Sequence, residues 1–322
     1  MNNNNSPNCP ICENLMFYRF KVPCDYRKPN NSQDYQIYWC DRCDYGMTEN
    51  RPSPEEVKDF YALDDYYTHN ASTATQRQNL PFLDRLRIHL SYRLDGGEDL
   101  NPNEVSPLLN AKRPQICEIG CGNGNNLAKF QKSGYAVFGV EPDPTAREMA
   151  QKVTPHIFAG TAEELPKTIV ERKYDIVLMS HVLEHCLDIN IVMSNVKEML
   201  KDDGVYIVEI PNCNSLGFKT YRGEWLWSDI PRHLNFFTHS SLDKILRKHN
   251  FTVELVKYSG YCRQFSDRWL SNEQKIWTAF AQHGMKQQKK PNFKSRAWKL
   301  LLRSMFASNS SKYDSVRLIG VK

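Results

Sequence analysis

The sequence predicts an α/β fold: a parallel sheet covered by helices on both faces, with a small metal-held module ahead of it. Three observations predict this. From Gln115 onward, short apolar runs alternate with helical stretches, the signature of strands joined by helical crossovers. The first run, Gln115–Ile119, enters a turn carrying Gly120, Gly122 and Gly124 and then a helix, Asn126–Ser133. Before this region stand two Cys-x-x-Cys pairs, Cys9/Cys12 and Cys40/Cys43, separated by 27 residues.

The N-terminal module, residues 1–50, reads as a zinc ribbon. Each pair sets two thiolates on one tight turn, and two pairs complete a tetrahedral site. Met16–Val22 leads away from the first pair as a strand, Tyr35–Trp39 leads into the second, and Gly46 suits the turn that follows. Cys9, Cys12, Cys40 and Cys43 fill every coordination position, which makes the metal structural. A module this small buries too little core to fold without it. Between Cys9 and Cys43 five Lys/Arg face four Asp/Glu, a balance that disfavours gripping nucleic acid. Cys24 reads as a spare thiol.

Residues 51–114 read as a helical linker. Ser53 starts a short capped helix through Phe60, and Tyr61–Tyr67 follows, dense in tyrosine. Phe82, Leu83, Leu86, Leu90 and Leu94 recur at helical spacing within an amphipathic helix, Leu80–Leu94. Asp95–Pro114 is polar with Gly and Pro and reads as connecting chain. Strands are then expected at Gln115–Ile119, Ala136–Val140, His156–Phe158, Tyr174–Met179, Val205–Ile210, Thr252–Tyr258 and Val316–Val321.

The glycine turn lets the backbone approach a ligand with no Cβ in the way. Its G-x-G-x-G spacing, with Glu118 just before the first glycine, departs from the dinucleotide pattern. It suits a ligand with an amino-acid tail and no pyrophosphate. The next strand ends on Glu141-Pro142, an acid able to accept both hydroxyls of a ribose.

The segment Glu118-Ile-Gly-Cys-Gly-Asn-Gly resembles the first motif of class I S-adenosylmethionine (SAM)-dependent methyltransferases, and Glu141 resembles their ribose acid. The stretch around Asp175–His185 is similar to the ubiquinone-type, methyltransferase-23-like branch. The resemblance covers roughly half the chain. It implies a seven-stranded Rossmann-like sheet whose last strand runs antiparallel. Thr161, Ala162 and Glu163 would meet adenine, Ser180 and His181 the methionine half, and the segment containing Tyr66 would either close over SAM as a lid or pack between the domains.

His181-Val-Leu-Glu184-His185 also matches the inverted zinc-protease signature. That chemistry needs a long helix, whereas His181 comes right after the apolar run Asp175–Met179, so the peptidase reading is set aside. Past the fifth strand lies Trp225–Thr238, containing the Pro231-Arg232-His233 segment that recurs in the family. His233 is the candidate general base because its ordinary pKa lies near neutrality. Arg232 is the candidate holder of an anionic acceptor, and both have an alternative role in anchoring the loop.

The insertion 262–314 carries eleven Lys/Arg against three Asp/Glu within a chain of net charge +5. Its Trp- and Leu-bearing helices suit a cap over the acceptor site, a subunit interface or an anionic membrane surface. The chain of 322 residues, 40% hydrophobic, has no apolar run long enough to span a bilayer and opens with no signal-like pattern. The expectation is a cytoplasmic enzyme with SAM and structural zinc, methylating a small molecule, most simply at oxygen. A sugar, a glycolipid precursor or another secondary metabolite, anionic or lipid-linked, fits such an acceptor. An RNA methyltransferase and a non-catalytic SAM-binding subunit are the alternatives. Oligomeric state is not legible.

Overall fold

A computed structural model describes residues 6–30, 33–49, 51–53, 56, 80–284 and 289–322. The central sheet has seven strands: β4 (Gln115–Ile119), β5 (Ala136–Val140), β6 (Ile157–Phe158), β7 (Tyr174–Ser180), β8 (Leu200–Pro211), β10 (Thr252–Ser259) and β11 (Ser315–Val321). Their order is β10-β11-β8-β7-β4-β5-β6. Neighbours from β8 to β6 pair in parallel, and β11 inserts antiparallel between β8 and β10. All seven expected strands form, and their ends differ from the expected bounds by a few residues.

The sheet owes its burial to cover on both faces. Ile176, Val177, Leu178 and Met179 of β7 are all inaccessible, alternate residues facing opposite layers. The crossovers include α2 (Asn125–Lys132), α3 (Pro144–Gln151), α4 (Ile189–Met199) and α5 (His239–Lys248). Their starts are set locally. Asp143 accepts from Ala146 N at 2.7 Å before Pro144, and Asp188 accepts from Asn190 N and Ile191 N. Thr238 and Ser241 form a reciprocal capping box. Asp95–Pro114 is more than connecting chain. Two short 3₁₀ turns, Pro102–Glu104 and Ser106–Leu108, press Leu100 and Val105 against one face of the sheet. Isolated apolar residues in a polar stretch carry no periodicity by which to foresee this.

The N-terminal module contributes β1 (Phe17–Val22), β2 (Tyr35–Cys40) and β3 (Tyr45–Thr48), and a second sheet runs β1-β2-β3-β9. Its fourth strand, β9 (Asn235–Phe237), comes from the segment after β8, with Tyr45 opposite Phe237 and Met47 opposite Asn235. The boundary expected at residue 50 therefore does not separate the two sheets. A main-chain ladder fastens the ribbon to the loop that carries Arg232 and His233.

The helix α1 (Phe82–Leu94) forms, but its buried residues are Asp84, Arg87 and Ser91 rather than the apolar stripe. Phe82 is 75% exposed and Leu83 62%. The reason is electrostatic. Arg87, fully buried, bonds Asp84 at 2.6 Å, Asp267 at 2.8 Å and Phe265 O at 3.0 Å. The insertion folds as α6 (Asp267–Gln282) and α7 (Phe293–Ser304). Trp269, Ile276, Phe280, Leu300 and Leu301 join a core with the ribbon's Val22, Tyr35 and Ile37 and with Trp225. Most of its apolar side chains are thus buried inside the protein, while Leu302 and Phe306 stay exposed. Among the described residues no helix is long and apolar enough to cross a membrane.

Candidate cofactor and acceptor site

The glycine turn lies at the carboxyl ends of β4 and β5, where open α/β sheets bind ligands. Gly120 N and Cys121 N both donate to Val140 O, at 2.8 and 3.1 Å, folding the turn across β5. Gly120 has φ +68°, and a Cβ there would stand 2.5 Å from Val182 Cγ2. Any side chain is therefore excluded twice over, by strain and by contact.

Two acids frame the turn. Glu141 is buried, and its carboxylate accepts from Gly122 N at 2.7 Å and Asp143 N at 2.9 Å. Burial raises its pKa above the usual carboxylate range against those two bonds. Glu118 is 2% exposed. One oxygen accepts from Asn126 Nδ2 at 2.8 Å, and the other, Oε2, has no hydrogen-bond partner. Burial pushes its pKa up to about 8. An orphaned buried carboxyl oxygen beside a glycine turn is a receptor for a cation, and the ammonium of an amino-acid tail supplies one.

The remaining sequence candidates divide. Thr161, Ala162 and Glu163 follow β6. Glu163 turns its carboxylate to Leu187 N at 2.7 Å, and Asn195 Nδ2 donates to Ala162 O at 2.9 Å. Pro142 offers its carbonyl to Arg147 at 3.1 Å. Ser180 ends β7, opposite Glu209. Gly124 N-caps α2 at φ +81°. Tyr66 lies outside the described residues.

His181 directly follows β7. It holds φ +56°, rare for a residue with a Cβ, and its N–H donates to Glu209 O at 2.8 Å. Its ring stacks on Trp227 with centroids 5.5 Å apart, and its Nδ1 lies 3.3 Å from Glu184 Oε1. Burial lowers its pKa, yet Glu184 and then Glu209 outweigh that and hold it above the ordinary value. The segment is no zincin helix, because only one 3₁₀ turn, Leu183–His185, follows.

Arg232 corrects the sequence expectation. It is 1% exposed, its guanidinium reaching Asp25 at 2.9 and 2.7 Å and Asp229 at 3.0 Å, while Arg27 joins Asp229 at 3.1 Å. These carboxylates engage all three nitrogens of a buried guanidinium, so it has no free fork to offer an anionic acceptor. It rivets the ribbon to the loop. His233 also departs from the expectation. Its Nδ1 sits 2.7 Å from Trp227 O, and burial, helped by His185, pushes its pKa down to about 4. That is a weak base at neutral pH.

Three residues went unassigned in the sequence reading. Asp25 has no neighbouring signal, because its partner is 207 positions away. Asn235 gathers Tyr45 Oη at 2.5 Å, Arg51 Nη2 at 2.6 Å and Cys186 O at 2.7 Å. Glu184 sits inside the His-x-x-Glu-His match, where setting aside the protease also set aside the acid.

In the ribbon, the four Sγ atoms of Cys9, Cys12, Cys40 and Cys43 lie within 4.8 Å of one another, and those of Cys12 and Cys40 are 3.6 Å apart. A disulfide would need ~2.05 Å. Zn–S bonds of ~2.3 Å at tetrahedral angles put sulfurs ~3.8 Å apart. The four thiols fit a structural zinc.

The family described as "Methyltransferase domain" matches residues 92–256, about half of the chain. The ubiquinone biosynthesis O-methyltransferase of Rhodopseudomonas palustris is 27% identical over 168 residues, covering 48% of this chain and 64% of the relative. That of Brucella anthropi is 29% identical over 160 residues, covering 46% and 62%. The chain thus spans somewhat under two thirds of these relatives. A SAM-dependent methyltransferase structure from Archaeoglobus fulgidus aligns with TM-score 0.46 and 17% identity, over 73% of this chain and 94% of that one.

Proposed function

The chain belongs to this family of SAM-dependent methyltransferases, and we propose that it methylates a small molecule at a hydroxyl oxygen. The observation that carries the cofactor half is the unpartnered Oε2 of buried Glu118 beside the glycine turn. Glu118 would hold the ammonium of SAM, and Glu141 its ribose hydroxyls through lone pairs left over from Gly122 N and Asp143 N. Bound there, SAM supplies an electrophilic methyl group.

The acceptor half rests on His181. Stacked on Trp227 and biased toward the charged form by Glu184, it is the residue we assign to take the acceptor's proton. The Trp227 loop, the ribbon's strands and α6 pack into one core beside His181, which suits an enclosed small acceptor better than an extended polyanion. The basic insertion mixes its charge with buried aromatics instead of presenting a continuous stripe. Sugars, glycolipid precursors and other hydroxylated metabolites are the acceptor classes that fit. The names of the relatives support oxygen as the target atom.

The test is transfer of label from SAM into fractionated lysate. Label should enter a low-molecular-weight fraction and survive nuclease, and His181→Ala should cut transfer by ~10²-fold with SAM affinity retained. Label that appears in RNA and vanishes with nuclease would replace this reading with RNA methylation.

A further inference from the structure

Arg232 is spent on carboxylates, but a second arginine near His181 is only half engaged. Arg263 stands in the 3₁₀ turn Cys262–Phe265, the first residues of the basic insertion. Its Nε donates to Asp314 Oδ2 at 2.8 Å, and its Nη2 donates to Asp314 Oδ1 at 2.5 Å and Ser315 Oγ at 2.6 Å. The Asp314 side chain is inaccessible, whereas that of Arg263 is 38% exposed. One edge of the guanidinium is therefore fixed inside the protein. Nη1, on the other edge, donates to nothing among the described residues. Gly260 makes room for the pair. It holds φ +80°, and a Cβ there would stand 2.0 Å from Asp314 Oδ1 and 2.5 Å from Arg263 Nε.

This arginine lies beside the residue assigned to take the acceptor's proton. Arg263 Cζ sits 5.0 Å from the centre of the Trp227 ring, and His181 stacks on Trp227 at 5.5 Å. Trp227 Nε1 donates to Asp314 Oδ2 at 3.1 Å. Asp314 thus holds both Arg263 and the indole that joins it to His181, and one small molecule can reach both groups. The nearby carboxylates are already matched. Glu209 takes Arg317 Nη1 at 3.2 Å and Ser259 Oγ at 2.7 Å, and Glu184 has His181 Nδ1 at 3.3 Å. Neither of them bonds Arg263. A guanidinium with a spare N–H against an indole face is a receptor for an oxyanion, because charge-assisted bonds are the strong ones and the fork keeps its charge at any working pH.

We propose that Arg263 is the specificity-determining residue of the acceptor site: it binds an oxyanion, carboxylate or phosphate, on the small molecule whose hydroxyl His181 deprotonates. This rests on the methyl-transfer reading and narrows it to anionic acceptors. It also gives the two ends of the insertion a task, since its first turn carries Arg263 and its last residue, Asp314, orients that side chain.

The experiment incubates lysate small molecules with methyl-labelled SAM and the parent protein, then passes the mixture over an anion-exchange resin at neutral pH. Unspent SAM, a cation, passes through, and the labelled product should be retained. Phosphatase treatment that frees the label from the resin marks the oxyanion as a phosphomonoester, and label that stays marks it as a carboxylate. Apparent KM is then measured on dilutions of the retained acceptor fraction. Arg263→Lys keeps a charge for Asp314 but loses the planar fork. It should bind SAM within about two-fold of the parent, raise KM ~10-fold or more and leave kcat within about three-fold. Arg263→Gln should raise KM further. A role confined to pairing Asp314 would leave Arg263→Lys with the parent's KM, and that result overturns the subsite. So does a labelled product that passes the resin unretained, a result that needs no variant to fold. No labelled small molecule at all from the parent protein would overturn the methyl-transfer reading itself, and the subsite with it.

Discussion

Glu118 should make SAM binding release a proton. Its pKa is pushed from 4.5 to about 8 by burial, a cost to the ionised form of about 5 kcal/mol at ~1.4 kcal/mol per pKa unit. At pH 7 the ligand-free protein therefore holds Glu118 mostly protonated. An ammonium docking on Oε2 favours the carboxylate and expels the proton. SAM's own α-amino group, with a pKa near ~7.8, is already mostly charged at pH 7 and takes up only a small fraction. The net release is close to one proton per SAM. Calorimetry in buffers of differing ionisation enthalpy reads this as the slope of observed against buffer enthalpy. Glu118→Gln should bring that slope near zero and weaken binding by ~10–100-fold, the worth of one charge-assisted hydrogen bond. The same shift sets a stability trend. A carboxyl whose folded pKa lies above its unfolded value binds more protons when folded, so the ligand-free protein loses stability as pH climbs from about 4.5 to about 8. SAM should recover that loss. Binding with no proton release by the parent protein would refute the assignment of Glu118 to the ammonium.

Other perturbations probe the remaining parts. Gly122→Asp should abolish SAM binding and Glu141→Ala should weaken it strongly, both by calorimetry, since one crowds the turn and the other removes the ribose acid. Cys40→Ser should release the ribbon's zinc, read as metal per chain by mass spectrometry, and lower the melting temperature. Asp25→Ala leaves buried Arg232 short of a carboxylate and should cost ~3–5 kcal/mol by chemical denaturation. A paired Asp25→Ala/Arg232→Met variant should recover much of that cost, and a double variant as unstable as Asp25→Ala alone would argue against a rivet.

The sequence made the sheet legible because its signals are local. Val-Ile-Leu runs set strands, and a glycine turn between an apolar strand and a helix fixes where the ligand binds. The four ribbon cysteines were legible for the same reason, each pair being one turn. What stayed hidden depends on partners far along the chain. The apolar stripe of α1 gave only part of the inward face, Leu90 and Leu94, because buried Arg87 is satisfied by Asp267, 180 positions away. Arg232 looked like an anion clamp because its neighbours in sequence gave no hint of Asp25.

That misreading also explains why the histidines needed the structure. A His next to an Arg in a loop beyond a strand looks like acid–base machinery, and its ordinary pKa invites the role. Here the ribbon's fourth strand and the Arg232–Asp25 pair pull the loop inward until His233 is 4% exposed. Burial then removes its basicity, while Trp227 O fixes its tautomer. The same forces make it an anchor of the loop, its Nδ1–H held on Trp227 O. The zinc ribbon thus has a consequence beyond its own fold. By donating β3 to pair with β9 it holds the loop that sets Trp227 against His181, and loss of the ribbon's zinc should lower methyl transfer without His181 being touched. Undiminished methyl transfer in Cys40→Ser protein shown to be zinc-free would refute this coupling.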